Sequence, residues 1–293
     1  MIRILLVGKK GQIGWELFQS LGRIAVVVAT NRSELNVTSR QDVFRVLKAV
    51  KPDIVINATG YNDVDGAEAN REDAVSVNVL ANTFMAAASR QVKAFYLTYS
   101  TDYVFDGHKK IPYIESDQVN PLNVYGQTKL DGETAIISSG ANFLILRTSS
   151  VFSLRRPCFL TSFLRRAQQA AQIQVRSDLV SSPTSARYLA EITTQIVSMG
   201  KDRSFEWLSK RKGIYHLAGT GAASRFEWAR EIRDILKLNV EILPSTYSDY
   251  PLGADRPIYS ALDSSSFFDT FRLPSLSWEK MLKDTLKDFY EEK

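Results

Sequence analysis

Sulfur and imidazole are scarce in this chain: 293 residues hold one cysteine, Cys158, and two histidines, His108 and His216. A single cysteine excludes an internal disulfide and any thiolate cluster, and two histidines are too few for an ordinary zinc site, so metal-dependent hydrolysis is not expected. A Ser-His-Asp triad would have to use one of the two. His216 lies in the apolar run GIYHLAG and His108 in the turn-like FDGHKK, settings of a packed and a solvated imidazole rather than of a base.

Charge of one sign is also in short supply. The 37 Lys and Arg against 32 Asp and Glu leave a net +5, spread along the chain, so neither nucleic acid nor a membrane surface is the expected partner; an acidic small ligand suits it better. No apolar run approaches the ~18 residues of a membrane span. The opening MIRILLVGKK lacks the apolar core and cleavage site of a signal peptide, and a cytoplasmic location is expected.

What is present is the composition of a folded protein, 44% hydrophobic and 24% charged, at a length that suits a main domain with a smaller lobe. Apolar, β-branched runs at 2–7, 24–29, 53–57, 95–99 and 143–147 alternate with helical patterns at 12–21, 40–49, 71–90 and 123–138. Strands without polar alternation are covered on both faces, which predicts an α/β fold with a doubly wound parallel sheet, the Rossmann arrangement. After Arg147 the elements shorten and Pro, Ser and Arg increase, marking a smaller C-terminal α+β lobe. The expected division is a dinucleotide-binding domain over 1–150, with 183–219 returning to it, and a substrate-binding lobe from 151–182 and 220–293. Ser224 and Glu227 have the spacing of a capping box, and a last helix is expected from Ser277.

Three features carry chemistry. The first strand runs through Gly8, Gly11 and Gly14 directly into a helix, a turn that lets a pyrophosphate approach the backbone and the helix N-terminus. The spacing is G-x-x-G-x-x-G, not the commoner G-x-G-x-x-G. Tyr125 and Lys129 are four residues apart, so on a helix they share a face, and an ammonium beside the phenol would lower its pKa toward working pH and suit Tyr125 to protonate an alkoxide. Tyr99-Ser100-Thr101-Asp102-Tyr103 sets hydroxyls at the carboxyl edge of the sheet, where such folds bind ligands.

Together these features resemble the extended short-chain dehydrogenase/reductase superfamily. GKKGQIGWEL, NRSEL, PDIVINATGYNDVDGAE, YSTDYVFDG, NPLNVYGQTKLDGE, LILRTS, SPTSAR, GIYHLAG and RPIYSALD stand in the order of the dTDP-4-dehydrorhamnose reductase family. The resemblance implies hydride transfer from a nicotinamide to C4 of a 4-keto-6-deoxy nucleotide sugar. It makes Thr101 the hydrogen-bond donor to the C4 oxygen, Tyr125 the acid, and Lys129 the residue that holds the ribose and tunes Tyr125. It places Gly11, Gln12 and Ile13 at the pyrophosphate, with Gly8 and Gly14 shaping the turn. Gly60, Tyr61, Asn62 and Tyr99 would line the cofactor, and Val64, Asp102, Ser150 and Arg256 would face the substrate. Glu16 matches a carboxylate linked in some relatives to a magnesium-dependent homodimer, though an exposed helix residue is the plainer expectation.

Departures from the family pattern are specific. Asn31 followed by Arg32 stands where an Asp commonly accepts from the adenosine ribose, and Asn36, beside Val37, replaces a carboxylate near the adenine. Loss of the acid beside a gained arginine favours NADPH over NADH. Ser150 replaces the tryptophan that usually contacts the sugar nucleotide, and Leu179 and Ser181 replace a glutamine and a glycine, which opens the sugar pocket to a different substrate. Arg155, Arg156, Arg165 and Arg166 flank the altered lobe and read as a solvated face. Two other functions share these motifs: a non-catalytic NADP-binding subunit resembling the regulatory subunit of methionine adenosyltransferase, and a nucleotide-sugar epimerase or dehydratase.

Overall fold

The computed structural model of the chain describes residues 2–203, 205–246 and 253–291. Five strands, β1 (Arg3–Val7), β2 (Val26–Thr30), β3 (Ile54–Asn57), β4 (Phe95–Thr101) and β5 (Phe143–Thr148), are joined by a sixth from much later, Gly213–His216. The order across the sheet is β2, β1, β3, β4, β5 and Gly213–His216, with every neighbour parallel. Because β2 and β3 lie on opposite sides of β1, successive crossovers diverge there. A crevice opens outside the carboxyl ends of these strands.

Successive strand residues enter different cores. Ile4, Leu6, Ile54, Ile56, Leu144 and Leu146 pack on one face with Leu17 and Leu21 of α1 (Gln12–Leu21). Leu5, Val7, Val55 and Ile145 pack on the other with Val43 and Leu47 of α2 (Arg40–Val50). With both faces buried, neither set of alternating positions can be polar, which is why these strands read as unbroken apolar runs.

The single helix expected over 71–90 is broken. After α3 (Val64–Ala69), α4 (Arg71–Val75) passes through a π-helical turn, Ser76–Leu80, into α5 (Ala81–Val92). The wider turn holds Asn78, which is 1% exposed, against the loop after β3: its Oδ1 accepts from Tyr61 N at 2.9 Å and its Nδ2 donates to Tyr61 O at 3.2 Å. Such turns often mark functional sites. Nδ2 also reaches Thr128 Oγ1 at 3.1 Å, on α6 (Val124–Ser138).

Beyond the sheet, α7 (Phe159–Ala167) and the helix Arg225–Leu236 pack on a parallel strand pair, Gln172–Arg176 with Glu241–Ser245. The expected capping box is formed: Ser224 N donates to Glu227 Oε2 at 2.7 Å and Glu227 N to Ser224 Oγ at 3.1 Å. The last helix, Trp278–Glu291, brings Trp278, Leu282 and Leu286 into the main core. Helix α8 (Ala186–Arg203) packs along α1. Among the described residues no helix is long and apolar enough to cross a membrane.

Candidate active site

Gly8 leaves β1 at φ 94°, in the left-handed region that favours glycine. Gly11 is the N-cap of α1 and no side chain caps the helix, so its first N–H groups and the positive end of its dipole are open to an anion. A Cβ at Gly14 would collide with the Gly8 carbonyl; the close approach of helix and turn requires glycine there.

This turn borders a cleft of about 800 Å³. Gly8, Gly11, Asn31, Arg32, Asn36 and Val37 line it on one side, and Gly60, Tyr61 and Asn62 on the other. Three cations, Lys10, Arg32 and Arg156, face it against one carboxylate, Asp73. Asn31 and Asn36 also build its wall: their Oδ1 atoms accept from Ser33 N at 2.9 Å and Thr38 N at 3.1 Å, turns characteristic of asparagine. Nearby Glu34 accepts from Lys9 Nζ at 3.0 Å and Asn31 N at 2.8 Å, and the lysine bond holds its carboxyl below the usual range.

A second cleft, of about 410 Å³, lies at the carboxyl end of β4. Thr101, Asp102, Tyr125 and Lys129 line it together with Gln12, Ile13, Val64, Tyr99 and Ser150. Gly11, Ala58, Thr59 and Asn62 border both clefts, so the two are continuous. Tyr125 is set by the start of α6, where Asn123 Oδ1 accepts from Gly126 N at 2.8 Å and Glu68 Oε1 from Val124 N at 2.9 Å. Its ring meets Tyr103 edge-on, with centroids 5.7 Å apart.

The electrostatics differ from expectation at one point. Lys129 Nζ donates to Tyr99 O at 2.7 Å; it does not set the Tyr125 pKa. Burial raises that phenol well above its ordinary value, a hydrogen bond with Thr101 opposes the rise, and Asp102 and Tyr103 add to it. Tyr125 is therefore fully protonated at neutral pH. Burial also lowers Lys129 to about 8, against the opposing field of Glu133. Asp102, 3% exposed, is raised by burial although three hydroxyls serve it: Ser260 at 2.6 Å, Ser149 at 2.8 Å and Thr101 at 3.1 Å.

Two candidates fall outside both clefts, Gly14 aside. Arg256 forks onto Asp65, with Nη1 at 3.0 Å and Nη2 at 2.8 Å, because the 253–256 segment folds against α3. Glu16 is 14% exposed at its side chain, lines a separate cleft of about 250 Å³ with Arg155 and Arg187, and lies 3.9 Å from Arg187. Gln12 is held by the other part of the chain, its Oε1 accepting from Ser153 Oγ at 2.8 Å. The arginines at 155 and 156 are not a solvated helix face, since α7 begins only at Phe159. Arg155 lies over the Trp15 ring at 4.3 Å, and Arg156 donates to Lys10 O at 3.0 and 2.8 Å, which ties the 153–158 loop to the glycine turn.

Sequence reasoning passed over several residues that shape the site. Asn78 stands in none of the quoted segments, the buried pair Glu133 and Arg147 and the hydroxyls of Ser149 and Ser260 stand in them without an assigned role, and Phe159 and Arg225, which line the smaller cleft, are distant in sequence. His216 is buried with its imidazole lowered to about 4 by burial and by Arg147, and it lines neither cleft.

Residues 2–291 match the family described as the RmlD substrate binding domain. The chain is 35% identical to a dTDP-4-dehydrorhamnose reductase of Burkholderia thailandensis, over 94% of this chain and 95% of that protein. It superposes on a dTDP-4-dehydrorhamnose reductase of Clostridium acetobutylicum with a TM-score of 0.91 at 30% identity, covering 99% of this chain and 100% of the other. The same enzyme of Bacillus anthracis, solved in complex with NADP, gives a TM-score of 0.91 at 28% identity, covering 100% and 99%.

Proposed function

The chain belongs to the dTDP-4-dehydrorhamnose reductase family, and from that membership we propose that it is an NADPH-dependent reductase acting at C4 of a 4-keto-6-deoxy nucleotide sugar. The observation that carries this function is the convergence of Thr101, Tyr125 and Lys129 in a cleft continuous with the one beside the glycine turn. The same convergence favours catalysis over a cofactor-binding subunit without activity.

The residues present fit a dinucleotide. The uncapped α1 N-terminus and the close approach at Gly14 suit a pyrophosphate, and Lys10, Arg32 and Arg156 supply positive charge along the larger cleft. When bound, the dihydronicotinamide supplies the hydride. Tyr125 donates its proton to the C4 oxygen, Thr101 positions that oxygen by hydrogen bonding, and Lys129 orients the ribose. A reaction fed by NADPH accords with the cytoplasm.

We divide the labour between 1–150 with 183–219, which bind the cofactor, and 151–182 with 220–293, which bind the sugar nucleotide. The sixth sheet strand, Gly213–His216, supports the first assignment, and the separate Gln172–Arg176 with Glu241–Ser245 pair the second. Glu16, the residue matched to the magnesium-linked dimer carboxylate, lies 3.9 Å from Arg187 of its own chain, and magnesium is not part of the proposal.

Loss of NADPH absorbance in the presence of dTDP-4-dehydrorhamnose, and of 4-keto sugars on other nucleotides, tests the function. Turnover of at least one is expected; none with any of them would refute it.

Preference for NADPH over NADH follows from Arg32 in the larger cleft and from Glu34, whose carboxylate is engaged by Lys9 and Asn31 N instead of facing a 2′-phosphate. Arg32→Ala should narrow the gap in affinity between the two cofactors by about 1.5–3 kcal/mol, the range for hydrogen bonds to charged groups. Titration calorimetry with both cofactors decides it, and equal affinities in the wild type would count against the role of Arg32.

A further inference from the structure

A nucleotide sugar carries two phosphates and a nucleoside, and the smaller cleft, where Thr101, Tyr125 and Lys129 meet, must hold both. Two cations line it, Lys129 and Arg225. Lys129 lies 8% exposed with Nζ on the Tyr99 carbonyl, beside the acid, and is committed to the reacting end. Arg256 is forked onto Asp65 and also hydrogen-bonds to Tyr103, but it does not itself line the cleft. Arg156 is tied to Lys10 O and faces the larger cleft. That leaves Arg225, the first residue of the helix Arg225–Leu236. Its guanidinium carbon lies 5.5 Å from the centroid of Phe159, and among the described residues no carboxylate pairs with it. Its charge acts on Tyr103, whose ring abuts Tyr125.

Phe159 supplies an aromatic face. Its ring lines the same cleft and is backed by Trp228 at 4.7 Å between centroids, with Phe152 on the indole at 5.3 Å. A ring so supported is a rigid wall for the flat face of a base. The sole carboxylate lining the cleft, Asp102, is saturated by three hydroxyls, so it does not compete for the guanidinium.

We propose that Arg225 and Phe159 form the nucleoside diphosphate subsite of the smaller cleft: Arg225 binds the diphosphate of the sugar nucleotide, and Phe159 packs against its nucleoside. The assignment rests on the nucleotide-sugar reductase function and refines it. The arginine adds charge-assisted, two-pronged hydrogen bonds, the geometry that suits phosphate oxygens.

Titration calorimetry with dTDP, UDP, GDP and CDP, and with the nucleoside of whichever binds, tests the subsite on the whole chain. Arg225→Ala should weaken the nucleoside diphosphate by roughly 10- to 100-fold, as expected for lost hydrogen bonds to a charged group, with nucleoside and NADPH affinities unchanged. Arg225→Lys should recover part of the loss. Phe159→Ala should weaken diphosphate and nucleoside alike, and Phe159→Tyr should restore both. NADPH binding reports that each variant is folded. A wild type that binds one diphosphate with an affinity untouched by Arg225→Ala overturns the subsite alone; a wild type that binds none of the four overturns the nucleotide-sugar function itself.

Discussion

Tyr125→Phe is expected to lower kcat by about 10²–10⁴-fold, the contribution of a positioned general acid, with NADPH affinity unchanged. The substitution deletes one oxygen and leaves the ring, its edge contact with Tyr103 and the Asn123 cap that places it. The phenol is buried and its pKa raised, so the proton it gives up is present in every molecule at neutral pH. A raised pKa also makes it a weaker acid, and its transfer depends on the charge that develops on the C4 oxygen as hydride arrives, and on Thr101, the hydroxyl hydrogen-bonded to it. Steady-state rates with a 4-keto sugar nucleotide measure the effect. A variant keeping more than about half the wild-type rate would remove Tyr125 from the acid role.

Legibility in the sequence followed the range of the forces involved. The five early strands and α1 could be read because their signals are local: unbroken β-branched runs, and glycines bracketing a short amphipathic helix. The helix over 71–90 could not, because the π turn at Ser76–Leu80 serves Asn78 contacts with Tyr61 and Thr128, partners that no local pattern announces. The spacing of Tyr125 and Lys129 correctly put both in one cleft. It misjudged their electrostatics, since the Tyr99 carbonyl that takes Lys129 Nζ belongs to another strand. Arginine was harder still. Arg155, Arg156, Arg225 and Arg256 carry the same charge in sequence, yet only burial and neighbours separate a guanidinium on the Trp15 ring, a clasp on the glycine turn, a cation lining the smaller cleft over Phe159 and a fork on Asp65.

Glu133 and Arg147 give the largest expected effect on stability. Their side chains are 2% and 4% exposed; Arg147 Nη2 donates to Glu133 Oε2 at 2.7 Å and Nε to Oε1 at 3.0 Å, and Ser100 adds its hydroxyl. Removing one member strands the other charge where water cannot reach it, so Glu133→Gln and Arg147→Met should each lower the unfolding free energy by about 3–5 kcal/mol. Replacing both by apolar groups of similar volume leaves neither ion of the pair without its partner, and the double variant Glu133→Leu with Arg147→Met should recover part of the loss, the remainder lying with the Ser100 hydroxyl and Lys129, which both lose Glu133. Denaturant melts measure all three. The pair also reaches the site, because the Glu133 carboxylate supports the charge on Lys129 against burial. In the wild type Lys129 keeps its proton up to about pH 8; without Glu133 the same burial acts unopposed and the proton leaves at lower pH. If Lys129 holds the cofactor as a cation, NADPH affinity should fall as pH rises through about 8 in the wild type and at a lower pH in the double variant. A double variant as unstable as either single one would contradict the account of stability. A double variant whose affinity falls at the same pH as the wild type would contradict the account of Lys129.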